Sequence, residues 1–299
     1  MTRIPPERLT TFREAIASGD RDGAVAALES QATSHAGTAP ATQKRAVAKE
    51  IVKLVEGGAL PEMALWFATH ENNTAKEVGA ILLAKTYAQH PREAIAALRR
   101  LAGDANWEVR EWAGSAAATA FAEDFEAMYP VMEDWLRDES QFVRRAVCIA
   151  LMGAADREKP ERAEPLLTLA DVLVRDEAEE VKRNAGPFAL GSALLGHYPK
   201  QTLAHIRAWA KSDGEMERWN AAMVFVAANG AKHVEVGLEV LSSLAADKRR
   251  PVWMAVSAAL RNLLKRAPQI EPELRSWLND ARKLPASLAL RRITVPEQK

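Results

Sequence analysis

Asp104-Ala-Asn-Trp-Glu-Val109-Arg110-Glu111 is matched 34 residues later by Asp138-Glu-Ser-Gln-Phe-Val143-Arg144-Arg145. It is matched again by Asp176-Glu-Ala-Glu-Glu-Val181-Lys182-Arg183, by Asp213-Gly-Glu-Met-Glu-Arg218-Trp219-Asn220 and by Asp247-Lys-Arg-Arg-Pro-Val252-Trp253-Met254. Successive aspartates are 34, 38, 37 and 34 residues apart, and a weaker copy, Asn73-Thr-Ala-Lys-Glu-Val78-Gly79, begins 31 residues before Asp104. A period of this length is the mark of a supersecondary unit that stacks on copies of itself. Each copy runs into an Ala-rich apolar stretch, such as Val143 to Leu151 or Ala221 to Ala228. Each follows an amphipathic stretch, such as Phe125 to Arg137 or Lys200 to Lys211.

The physics of each copy is that of a turn between two helices. An aspartate at the turn caps the second helix and suits the positive end of its dipole. The valine five residues on starts an apolar stripe that continues in steps of three and four, as in Val143, Ala146, Val147 and Ala150. Small alanines let helices approach closely. Pro91, Pro130, Pro165 and Pro199 are expected in first turns, where a missing N–H costs nothing. One helix pair cannot bury its apolar face alone, so the pairs must stack. The expected fold is all-α, a right-handed α-solenoid.

Composition agrees and sets bounds. Of 299 residues 48% are hydrophobic, enough for a substantial core, while Tyr (3) and Phe (7) are scarce. Forty basic residues balance forty acidic ones, so contact with a polyanion has to come from a local patch. The one cysteine, Cys148, excludes an internal disulfide framework, fits a reducing cytoplasm and is expected to be buried packing. The opening residues, Met-Thr-Arg-Ile-Pro-Pro-Glu-Arg, lack the apolar stretch of a secretory leader, and no apolar run is long enough to span a bilayer. Residues 1–285 are expected to form a single solenoid. Its helices over 1–70 are irregular, with a break near Gly19-Asp20, a loop over 31–43 and helices over 41–56 and 61–70. Regular repeats follow to about 280. Residues 286–299 read as a basic tail carrying Arg291-Arg292.

There is no phosphate-binding loop, dinucleotide fingerprint, HExxH motif or nucleophile elbow, and the six histidines lack ligand spacing. No metal and no cofactor are expected. The candidate surface is the concave face lined by the second helices. The position seven after each aspartate (Glu111, Arg145, Arg183, Asn220, Met254) lies on it, with Trp107, Trp112, Trp219 and Trp253 nearby. Arg and Lys suit phosphates, and indoles suit sugars, bases or cations.

The aspartate with Arg or Lys six residues on (Asp104/Arg110, Asp138/Arg144, Asp176/Lys182) resembles the stacking ladder of HEAT repeats, which stops at Trp219 and Trp253 in the last two copies. Three further stretches extend the likeness: Trp107-Glu-Val-Arg-Glu111-Trp112; Trp135-Leu-Arg-Asp138 with Phe142-Val-Arg-Arg145; and Val181-Lys-Arg183 with His197-Tyr-Pro199. Over roughly residues 70–265 these are similar to the HEAT-like bacterial DNA alkylation-repair glycosylases (AlkC/AlkD-like). The resemblance implies a protein that binds alkylated double-stranded DNA and removes N3- or N7-alkylated purines. It implies Glu111 as the carboxylate that stabilises a cationic sugar, with Trp107 against the sugar and Arg145 beside them. The expected DNA contacts are Trp112, Arg144, Lys182, Arg183, Phe188, Arg218, Trp219, Arg249 and Arg250. Glu111 stands where one branch has Asp, and Ala185-Gly186-Pro187-Phe188 keeps an aromatic but loses polar residues. The other reading is a non-catalytic scaffold holding a protein partner; either way a monomer is expected.

Overall fold

The structure is a computed structural model describing residues 4–29, 33, 36–55 and 57–291. Part of the expected 31–43 loop and the basic tail from Arg292 onward lie outside these residues. All regular structure among the described residues is helical, and the chain divides into two compact units, Met1–Ala150 and Leu151–Lys299. No described helix is long and apolar enough to cross a membrane.

Unit 1 opens with α1 (Pro6–Ser18) and α2 (Arg21–Glu29), separated at Gly19, whose φ of 78° is the left-handed conformation glycine adopts most easily. Then follow α3 (Ala41–Leu54), α4 (Leu60–Thr69), α5 (Asn73–Thr86), α6 (Pro91–Ala102), α7 (Trp107–Glu123), α8 (Phe125–Trp135) and α9 (Gln141–Ala154), which crosses into the second unit. Alternate helices form two rows. The first helix of each pair (α4, α6) packs on the second (α5, α7), and second helices pack on one another, α3 on α5 and α5 on α7. Alanines and one glycine set the spacing: a Cβ on Gly79 would stand 2.3 Å from the backbone nitrogen of Ala68, so α4 and α5 touch backbone to backbone there. Val78, Leu82, Leu83, Val109, Ala113, Ala117 and Phe121 fill the core between rows.

Unit 2 repeats the scheme with α10 (Ala163–Leu173), α11 (Glu179–Asn184), α12 (Leu195–His197), α13 (Pro199–Lys211), α14 (Glu215–Met223), α15 (Val234–Ala245), α16 (Arg250–Arg266), α17 (Glu271–Ser276) and α18 (Lys283–Leu290). α13 packs on α14, and α14 on α16. Between α11 and α12 the chain runs as a π-helix, Ala185–Leu194. Pro187 has no N–H to give the i−4 carbonyl, a standard cause of local rewinding. The wider register seats Gly191 against α14's end, where a Cβ would come within 2.5 Å of the Val224 carbonyl.

Pro91 and Pro199 open their helices as expected. Pro130 does not: it lies inside α8, where its side is exposed and water can serve the orphaned carbonyl. Pro165 is the third residue of α10.

The inter-helix turns carry the main correction. The aspartate is not the helix cap. It lies two residues ahead of the residue that precedes the helix and accepts that residue's N–H: Asp104 from Asn106, Asp138 from Ser140, Asp176 from Ala178 and Asp247 from Arg249, all at 2.8–2.9 Å. In α7 the cap itself is Asn106, which accepts from Glu108 and Val109. The arginine six residues on clamps the turn's carbonyls. Arg110 donates to the Asp104 and Ala105 carbonyls (2.9 and 3.0 Å), and Arg144 to those of Asp138 and Glu139 (2.8 and 3.0 Å). The carboxylate's other oxygen takes a cation from elsewhere in the stack: Lys76 for Asp104, Arg99 for Asp138 and Arg218 for Asp247.

Two copies shift register accordingly. In the fourth, Ser212 does the turn's work, its hydroxyl accepting from Gly214 N–H at 3.0 Å, while Arg218 donates to the Ser212 carbonyl at 2.6 Å. The ladder position is therefore Arg218, not Trp219, and the ladder continues through that copy. In the first, His70 Nδ1 accepts from Asn72 N–H at 2.9 Å, so Asn72 and Lys76 are the counterparts of Asn106 and Arg110.

Asp247 accepts three hydrogen bonds from Arg249 and one from Arg218. Those bonds, Arg249's foremost, hold its carboxyl far below the ordinary carboxylate range. Asp247→Ala should lower unfolding stability by about 2–3 kcal/mol, the scale of hydrogen bonds to charged groups. Asp247→Asn should recover part of that loss by keeping the turn. Urea unfolding of both variants checks it, and a wild-type midpoint for the alanine variant would refute the ladder's structural role.

Candidate nucleic-acid interface

Counting five residues from the residue ahead of each second helix gives an equivalent position in every repeat. In unit 1 these are Arg45, Glu77, Glu111 and Arg145; in unit 2 they are Arg183, Trp219 and Met254. Asn220, expected at this position, is instead fully buried. Its side chain donates to the Val174 and Met216 carbonyls at 3.0 Å, because the fourth copy is shifted by one residue.

Trp107 is the first residue of α7 and is 45% exposed. Glu111 lies one turn later on the same side. Arg145 Nη2 of the next repeat donates to the Glu111 carboxylate, the arginine largely buried and the glutamate partly open. These three expected catalytic residues do come together along one edge of α7 and α9. Arg144 does not join them, since it holds its own turn.

Trp112 belongs to a neighbouring cluster. Lys44 Nζ and the Arg45 guanidinium both lie 5.1 Å from its ring centroid, a double cation–π contact. Lys44 is wholly buried. It donates to Glu77 and to Glu108, each at 2.7 Å, and the Thr38 hydroxyl donates to Glu108 at 2.7 Å. Burial pushes the Glu77 carboxyl up to about 7 despite Lys44. Glu108 feels burial too, but its bonds from Lys44 and Thr38 outweigh it and hold its carboxyl below the ordinary range. Beyond Trp112 a groove of about 340 Å³ runs between α3, α5 and α7, lined by Arg45, Lys49, Ile81, Ala84, Lys85, Trp112, Ser115, Ala116 and Thr119.

In unit 2, Lys182 Nζ stands 4.8 Å from the Trp219 ring, and Arg183 pairs with Glu179 on its own helix at 2.8 Å. Arg218 and Arg249 are held by Asp247, and Arg249 also donates to the Asp213 carbonyl at 2.7 Å. Arg250 is exposed at the start of α16, and Phe188, 50% exposed, stands on the π-helix. Cys148 is buried.

Lys44, Arg45, Lys49, Glu77, Lys85 and Glu108 were not among the expected site residues. A signal existed for Lys44. It lies three and four residues before Val47 and Ala48, on the apolar stripe of α3, where a lysine requires a buried acid.

The helix pairs and their ladder define the class, an all-α solenoid of HEAT-like repeats. Its fold is shared with the karyopherin Kap121p bound to the extreme C-terminus of the protein phosphatase Cdc14p, with TM-score 0.54 and 13% identity over 96% of this chain and 33% of that one. It is shared also with smu.31 from Streptococcus mutans UA159, with TM-score 0.50 and 16% identity over 71% of this chain and 97% of that one. Comparison with curated proteins returns no match. The sequence model of the DNA alkylation repair enzyme family matches residues 37–194, more than half of the chain, and the protein belongs to that family.

Glu77 gives a pH test. Folded, it holds its proton up to about pH 7; unfolded, it releases it near 4.5. Between these values the folded state binds more protons, so its contribution to stability falls as pH rises and levels off above about 7. The stability difference between the wild type and Glu77→Gln, measured in urea at pH 5, 6, 7 and 8, should shift in the variant's favour with pH. A difference that does not change with pH would contradict the raised value.

Proposed function

We propose that the chain is a DNA glycosylase acting on N3- or N7-alkylated purines in duplex DNA. The observation that carries the reading is the grouping on α7 and α9: an exposed indole, Trp107, one turn from a carboxylate, Glu111, that an arginine of the next repeat holds in one orientation. Membership of the alkylation-repair family supports it.

The chemistry needs little more. An alkylated purine already carries positive charge, so it leaves with the electron pair of the C1′–N bond as a neutral base, and no strong general acid is required. Positive charge passes to the sugar. A fixed anion beside C1′ lowers that barrier without reorganising, and water then adds to C1′ and loses its proton to solvent. Glu111 supplies the anion and Trp107 packs on the sugar. Arg145 aligns Glu111 and keeps one edge of its carboxylate directed outward, toward the sugar. Unit 2, taken by itself, offers Lys182, Arg183 and Arg250 for phosphates, with Phe188 and Trp219 as its aromatic surfaces. Arg144, Arg218 and Arg249 serve by holding the turns rigid.

A second reading, a scaffold for a protein partner, is favoured by the balanced charge of the whole chain and by the mixed signs of Arg45, Glu77, Glu111 and Arg145. It predicts little or no DNA binding, whereas phosphate contacts make binding fall steeply with salt.

Release of 3-methyladenine or 7-methylguanine from methylated DNA is the measurement. Glu111→Gln should lose roughly a hundredfold or more in rate, the scale of one preorganised electrostatic group, while DNA affinity is retained. An unchanged rate removes Glu111 from the mechanism.

A further inference from the structure

The groove beside Trp112 gathers cations that are not matched by acids. Elsewhere many arginines are paired: Arg13 with Glu50, Arg99 with Asp138, Arg175 with Glu217, Arg207 with Glu239. Arg45, Lys49 and Lys85 line one groove, and none has an acidic partner among the described residues. No Asp or Glu lines that groove either. Lys49 follows Arg45 by one helical turn on α3, and Lys85 reaches in from the last turn of α5.

Its walls differ in chemistry. Ile81, Ala84 and Ala116 give an apolar side, while Ser115 and Thr119, one turn apart on α7, give hydroxyls. The floor is preorganised. Trp112 carries the Arg45 guanidinium on its ring, and Lys44 at the same ring is fixed by Glu77 and Glu108. A planar cation held against an indole presents its remaining N–H groups in a set direction and loses little freedom on binding an oxyanion.

An oxyanion with an apolar flank matches these walls, and a phosphate joined to a sugar is such a ligand. We infer that this groove is a sugar-phosphate subsite that grips a nucleic-acid strand beyond Trp107 and Glu111, with Arg45, Lys49 and Lys85 on phosphates and Ile81, Ala84 and Ala116 against a sugar. The inference rests on the reading of the chain as a DNA-binding protein. It does not depend on catalysis, because none of these residues belongs to the proposed reacting group.

The test uses the full chain and a fluorescein-labelled, unmodified DNA duplex, with anisotropy read at several salt concentrations. Lys49→Ala/Lys85→Ala and Lys49→Glu/Lys85→Glu change exposed side chains without acidic partners, and circular dichroism checks that both stay folded. Losing two phosphate contacts should flatten the slope of log affinity against log salt by about 2 and weaken binding at least roughly tenfold near 0.1 M salt, more for the glutamates. Wild-type binding with unchanged affinity and slope in both variants overturns the groove and leaves the DNA reading standing. No binding by the wild type at low salt overturns both, and the cationic groove would then belong to an acidic protein partner.

Discussion

A single locked turn is the constraint on which the stack depends. An aspartate or its stand-in accepts the N–H two residues ahead, and the cation four residues into the helix clamps the turn's carbonyls where it is Arg110, Arg144 or Arg218. Backbone groups at the mouth of a helix have no partner within it and must find one. Here they find it in side chains fixed by the neighbouring repeat, as Lys76 does for Asp104. Stacking and turn closure thus share a residue: the aspartate that closes its own turn also takes a cation from another part of the stack.

That economy explains why the architecture was legible in sequence. The turn's partners are a few residues apart, so the Asp104, Asp138 and Asp176 copies were found by spacing alone. Where two adjacent side chains could each do the job, spacing misled. Asp213 and Ser212 are neighbours, both with oxygens able to accept a main-chain N–H, and in the fold it is the serine that does. The same slip placed Asn220 at the open position when it is buried. His70 escaped notice because a ring nitrogen stands in for a carboxylate. The π-helix left no mark beyond Pro187.

The candidate site was legible in part, for the same reason. Trp107 and Glu111 share a helix face, and Arg145 follows at the repeat's own period, so their meeting was written in the numbering. The cluster of Thr38, Lys44, Glu77 and Glu108 draws on α3, α5, α7 and the segment ahead of them, and no local pattern links such members. Reading the helices before residue 70 as irregular hid it further. Once Pro40 is taken as the residue ahead of α3, Lys44 and Arg45 fall at the offsets of Arg110 and Glu111, and the first repeat joins the others.

The position five residues into each second helix carries arginine, glutamate, glutamate, arginine, arginine, tryptophan and methionine. The locked turn asks nothing of this position, and apart from Glu77 it lies outside the core. Geometry and chemistry are thus written in separate letters of the same repeat. Within each unit, substitutions at this position change what the surface presents while the turns and the core stay as they are, so the surface of such a repeat can be rewritten without passing through unfolded ancestors.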